Sequence, residues 1–219
     1  MLGFISKHLA PVDRLAEIIY ALLILLTFTL ATKAINTAAD AQQLMLAALG
    51  CNIAWGMIDG VMYILTSVFE RGRLYRFANL YHQAPNSSAA LDAVASELDD
   101  TLAPLASEEE RKQLYANIVS IVTDEKAPPR PGATREDLLG AVAILAIVVL
   151  ALLPPVVPFL VFQSNALLAL RVSNIVSISM LFIVGWHWAK YTGASRLKAG
   201  LALMSLGIVM VLISIPLGG

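Results

Sequence analysis

The sequence predicts an all-α integral membrane protein, with five transmembrane helices and a small helical cytosolic insert between the second and third. Three observations predict it. Of the 219 residues, 58% are hydrophobic and 14% charged, and mean hydropathy is +0.74; an ordinary soluble domain has about 25% charged residues. Apolar runs near the roughly 20 residues that cross a bilayer recur at about 15–33, 44–69, 138–162, 166–189 and 197–217. Most of the charges collect in one interval between the second and third runs.

Each element has a local reason. The first twenty residues lack the charged head, short apolar stretch and cleavage site of a secretory signal, so the first run is expected to stay as a span. Pro11 and Asp13 suit its first turn. The second run is the most interrupted, by Asn52 and Asp59. The third ends in LPPVVPFL, where Pro154, Pro155 and Pro158 remove three backbone donors. A break is expected there, tolerated only against protein or a water-filled cavity. The insert reads as amphipathic helices over 70–82, 88–103 and 107–122, with Ser107 as N-cap and Glu108–Glu110 in the first turn. APPRPG, 127–132, forms a stiff return linker. The expected organisation is therefore 1–69 (spans one and two), 70–137 (insert) and 138–219 (spans three to five).

Lys7, Arg14, Arg71, Arg73, Arg76, Arg130, Arg135, Lys190, Arg196 and Lys198 all fall on one side of this arrangement. By the positive-inside rule that side is cytosolic, so the N-terminus faces the cytosol and the C-terminus, Gly218–Gly219, faces away. A net charge of −1 argues against a nucleic-acid partner. Cys51 is the only cysteine, so no internal disulfide forms and no zinc pattern arises. No nucleophile–base pattern or glycine-rich phosphate loop appears, so no enzyme and no resident cofactor is expected.

An ionisable side chain within a span costs about 2.5–3.5 kcal/mol on insertion scales and normally faces the bundle interior. Positions 52, 56, 59 and 63 share one helix face, reading Asn52, Gly56, Asp59 and Tyr63. Met57 and Met62 flank this stripe with thioether sulfurs, and Glu17 enters from the first span. A carboxylate with amide, phenol and thioether neighbours suits a divalent transition metal, and it can take a proton. An ion pair or a structural carboxylate at Asp59 is the plainer alternative, and Glu17 also fits as a complement to a helix N-terminus. Thr27, Thr29, Arg171, Ser173 and Asn174 add polarity, with Arg171 placed to snorkel outward. His187, between Trp186 and Trp188, reads as interfacial. In the insert, Glu97, Asp99, Asp100, Glu108, Glu109 and Glu110 form acidic clusters that are either solvated faces or a gathering surface for cations.

The C-terminal third carries a resemblance. Proline–Phe at 158–159, ALRVSN at 169–174, the KYTG turn, the Gly200–Met204–Gly207 pattern and the terminal LGG resemble the vacuolar iron transporter family, as a divergent bacterial-type member. The resemblance implies a homodimer in a bacterial inner (plasma) membrane that exports ferrous iron or manganese from the cytosol in exchange for protons. It also implies that the insert gathers metal. On that reading Asp59, Glu17, Asn52, Met57, Met62 and Tyr63 hold the transported ion, membrane lipid surrounds the spans, and the six insert carboxylates attract metal. Two departures stand out. Ile24 and Leu25 occupy the region where the family has an aspartate, and the insert contains no methionine. A non-transporting membrane scaffold or regulatory relative is the competing expectation.

Overall fold

The computed structural model describes residues 2–35, 41–82, 87–121 and 131–214. The side chain of Thr29, residues 127–130 of the linker and Gly218–Gly219 lie outside the described residues. Eight helices and no strand occur among the described residues: α1 (Leu2–His8), α2 (Pro11–Ile35), α3 (Ala41–His82), α4 (Ser87–Leu102), α5 (Glu108–Ile121), α6 (Arg135–Val161), α7 (Ala166–Thr192) and α8 (Arg196–Ser214).

Among the described residues four helices are long and apolar enough to cross a membrane: Ala41–Asn79, Arg135–Val161, Ala166–Thr192 and Arg196–Ile213. The expected first span falls in α2, a 25-residue helix about 37 Å long at 1.5 Å per residue. It is not among those four, and its first two turns hold Asp13, Arg14 and Glu17.

The chain divides into two compact units, residues 1–63 with 135–219, and residues 64–134. In the first, α2 packs against α6, α7 and α8. Leu22, Leu25 and Leu26 of α2 are fully buried, Leu25 beside Leu152 and Val156, Leu22 and Leu26 beside Leu181 and Val184. Small residues set the closest approaches, because apolar area drives helices together only weakly in lipid and dispersion contacts must be tight. A Cβ built on Gly185 would strike the Ala199 carbonyl oxygen and come within 2.9 Å of Gly200 Cα. Gly200 in turn faces the Phe182 ring, and Gly207 faces Leu181. The α7–α8 turn follows from Gly193, whose φ of 68° is a left-handed cap that glycine adopts without strain. At its other end α7 is capped by Asn165, whose side-chain oxygen accepts from the Leu168 amide at 3.0 Å.

In the second unit α4 and α5 pair through Ala90, Val94 and Tyr115. Ser107 caps α5 as expected: its hydroxyl accepts from the Glu110 amide at 3.4 Å, while Glu110 Oε2 accepts from the Ser107 amide at 2.9 Å. This is a reciprocal capping box.

Two expectations need correction, and one helix is additional. Residues 70–82 are not a separate helix but the continuation of α3, since Gly72 alone does not interrupt a helix that lacks proline. The end of span three is not broken, because α6 continues through Pro154, Pro155 and Pro158 to Val161. Burial of Leu152, Pro155, Val156 and Phe159 holds that turn in place, although each proline deprives the carbonyl four residues back of its helical donor. Finally, α1 was not anticipated. Ile5 and Leu9, one turn apart, bury against Ala143, Ile144 and Ile147 of α6, and the helix ends just before the Ala10–Pro11 step.

Candidate functional site

The α3 stripe faces inward. Asn52, Gly56 and Gly60 are buried and Asp59 and Tyr63 half-buried, whereas Ile53, Ile58 and Val61 are exposed. The two glycines bring α3 down onto α6. A Cβ on Gly56 would lie 3.2 Å from Leu145 Cδ1, and one on Gly60 would lie 3.3 Å from the Ala141 carbonyl oxygen. Gly140 of α6 leaves the space that the Tyr63 ring fills. The Tyr63 hydroxyl donates to the His8 carbonyl oxygen at 3.4 Å, and His8 Nδ1 lies 3.0 Å from Glu136 Oε2.

At the level of Asp59 a second carboxyl arrives from α2. Glu17 is only 8% exposed, and its side chain lies within hydrogen-bonding reach of Asp59. Glu17 Oε2 and Asp59 Oδ2 are both buried and accept no hydrogen bond from the described residues. Asp13, one turn earlier on α2, adds to the negative field at Glu17. Asn52 is fully buried. Its amide nitrogen donates to the Ala48 carbonyl at 3.1 Å, and Oδ1 has no hydrogen-bond partner among the described residues. Two acceptor-only carboxylates held this close cannot both stay bare in a medium of low dielectric. A proton or a cation resolves the conflict.

The other sequence candidates lie outside this pair. Met57 and Met62 are 60% and 52% exposed; Met57, two positions from Asp59, falls on the opposite face of α3, whereas Met62, three positions on, neighbours it. Among the described residues no cluster of three or more His, Cys, Asp or Glu side chains forms. His187 Nδ1 lies 2.9 Å from the Ile183 carbonyl, and Arg171 is exposed.

In the insert, internal partners engage four of the six acidic candidates. Glu97 pairs with Arg73 at 2.7 Å, and Asp99 with Arg111 at 3.3 Å and the Tyr115 hydroxyl at 2.9 Å. Glu108 pairs with Lys112 at 2.6 Å, and Glu110 closes the capping box. Lys112 holds the Glu108 carboxyl below its ordinary value, and Ser107 does the same to Glu110. Burial raises the Tyr115 phenol, and the Asp99 carboxylate raises it further. Asp100 and Glu109 remain exposed.

A family model described as the VIT family matches residues 78–219. The chain belongs to the vacuolar iron transporter family. VIT proteins are membrane transporters of metal ions rather than enzymes, and the apolar helices fit that setting. The match begins after the Glu17–Asp59 pair, so this carboxyl pair rests on geometry alone. No curated protein matches the chain.

Sequence reasoning found the stripe on α3 and placed Glu17 with Asp59 in one ion-holding set, but gave no contact between the two carboxyls. It also missed Gly140, whose signal is a glycine opposite a large aromatic across two helices. No single-helix pattern reveals that.

Proposed function

We propose that this VIT-family chain is a divalent-metal/proton antiporter that moves ferrous iron or manganese out of the cytosol, with the Glu17–Asp59 pair as its exchange site. The observation that carries the reading is the pair itself: two carboxyls from different helices with unpartnered buried oxygens. Hard oxygen donors suit a divalent ion, and a carboxyl pair that gives up its metal can take up a proton in its place. Asn52 Oδ1, two turns along α3, is a further neutral oxygen on the route. The proposed fold in the membrane has five spans, α2, α3, α6, α7 and α8, with the cytosolic insert between the second and third. Excess Lys and Arg puts the N-terminus and insert inside the cell and the C-terminus outside, in a bacterial inner membrane.

The four oxygens of the two carboxyls, even with Asn52 Oδ1, leave an octahedral six-coordinate ion short of protein ligands, so a homodimer with the pairs near its axis is part of the proposal. Gly56, Gly60, Gly200 and Gly207 already serve packing within the chain. Small residues left for contact between copies are Gly50, with nothing near its Cβ position, and the exposed Ala202 and Ser205. Cation gathering by the insert falls to Asp100 and Glu109.

A non-transporting scaffold or regulatory relative is the second reading, favoured by the absence of any three-donor cluster among the described residues. Uptake of Fe2+ and Mn2+ into proteoliposomes, with and without an imposed pH gradient, separates the two. Uptake that responds to the gradient supports antiport, and none above empty liposomes supports the scaffold.

A further inference from the structure

A cavity of about 470 Å³ opens at one end of the first unit, between α1, the first turns of α2 and the last turns of α7. Its wall carries Arg14, His187, Lys190 and Tyr191, and Ile5 and Ile147 contribute apolar floor. Among the described residues no acidic side chain lines it. Among the described residues neither Arg14 nor Lys190 forms an ion pair, and Arg14 Nε is buried with no hydrogen-bond partner. The acids nearest in sequence point elsewhere: Glu17 faces Asp59, and Asp13 stands outside the cavity wall. His187 has its Nδ1 at the Ile183 carbonyl, which leaves Nε2 for another partner. Lys190, His187 and Tyr191 are exposed at the mouth, next to the partly exposed Trp186, and tryptophans of this kind mark the headgroup level.

We propose that this cavity binds the phosphate of an anionic membrane-lipid headgroup. Two cations without counter-charges, one held by packing and one at the rim, leave a positive site that water screens poorly on its inner side. A guanidinium presents a planar fork matched to phosphate oxygens, and Tyr191 and His187 add donors. The apolar floor suits the glycerol and upper acyl carbons of a lipid, which a soluble phosphate lacks. Basic pockets between spanning helices are where phospholipid headgroups dock. The bound lipid would tie α1 and α2, the helix that carries Glu17, to α7. The inference needs only that this end of the bundle meets a membrane surface, and it holds whether or not the chain moves metal.

The test is native mass spectrometry of the detergent-purified chain, titrated with phosphatidylglycerol, with phosphatidylcholine, or with inorganic phosphate. The expected result is retention of one high-affinity phosphatidylglycerol per chain over phosphatidylcholine. Arg14→Gln combined with Lys190→Gln should weaken it roughly twenty-five-fold, at about fivefold per cation. Lys7→Gln with Lys198→Gln removes equal charge outside the cavity and should leave the affinity within about twofold. Lys190 is exposed, so Lys190→Gln alone keeps the fold and should still cost about fivefold. Equal loss in the two double variants overturns the proposal, as does unchanged affinity in Lys190→Gln. Inorganic phosphate that binds as tightly as the lipid overturns the assignment to a headgroup.

Discussion

Glu17 of α2 and Asp59 of α3 lie within hydrogen-bonding reach of each other, and each keeps one buried oxygen without a protein donor. Structural carboxylates are normally met by a cation or by amide donors. This pair is met by neither among the described residues, and the nearby Asp13 deepens the conflict. Geometry of that kind is costly to keep unless something passes through it.

The α7–α8 packing predicts a stability effect at Gly185. A methyl there would strike the Ala199 carbonyl, and overpacking costs about 1–3 kcal/mol. Gly185→Ala should melt several degrees lower in detergent, whereas Gly50→Ala, with open space at its Cβ, should melt like the parent. Equal melting temperatures for the two variants would show that this approach is looser than described.

Tyr63 and Gly140 should be coupled. Gly140→Ala alone drives a methyl into the Tyr63 ring, while Tyr63→Ala empties the same volume. The double variant should therefore be less destabilised than the sum of the singles, with a coupling of about 0.5–3 kcal/mol. Additive thermal shifts would contradict the contact.

The α5 cap predicts a pH dependence. Lys112 and Ser107 hold Glu108 and Glu110 below their ordinary value of 4.5. A lowered folded value gives stability that is present above the unfolded value and lost as pH falls through the folded one. Hydrogen-exchange protection of α5, corrected for intrinsic rates, should hold steady from neutral pH down to about 4.5 and decline below it. Ser107→Ala should remove much of that step, and a profile identical to the parent's would mean the capping box contributes nothing.

Cation gathering should separate from insert stability. Asp100→Asn with Glu109→Gln changes exposed acids outside the ion pairs described above and should raise the metal concentration for half-maximal transport, leaving the saturated rate unchanged. Glu97→Gln with Asp99→Asn breaks pairs with Arg73 and Arg111 and should loosen the insert instead. If both pairs of substitutions alter transport alike, local charge rather than this division of labour governs entry.

What was legible in the sequence follows from periodicity. The stripe Asn52–Gly56–Asp59–Tyr63 obeys a single helix's geometry, so its burial was readable from spacing, as was the Ser107 cap from its own four residues. The Glu17–Asp59 pair was not, because the register between α2 and α3 is set by how Gly56 and Gly60 seat α3 on α6. The prolines misled for a related reason. Proline disfavours a helix locally, but burial of Leu152, Val156 and Phe159 carries α6 through them. The insert's acids looked available because their partners Arg73, Arg111 and Lys112 were assigned to no particular carboxylate by sequence alone.

The most direct test of metal–proton exchange at the carboxyl pair is lumenal pH recorded in proteoliposomes during Fe2+ or Mn2+ addition. Parent, Asp59→Asn, Asp59→Glu and Glu17→Gln chains should be compared after confirming equal incorporation and melting. Metal-driven proton movement should be seen in the parent, retained in part by Asp59→Glu, sharply reduced in Glu17→Gln and absent in Asp59→Asn. Normal metal-coupled proton movement in Asp59→Asn would contradict the exchange site and leave the Glu17–Asp59 pair a structural feature of the bundle.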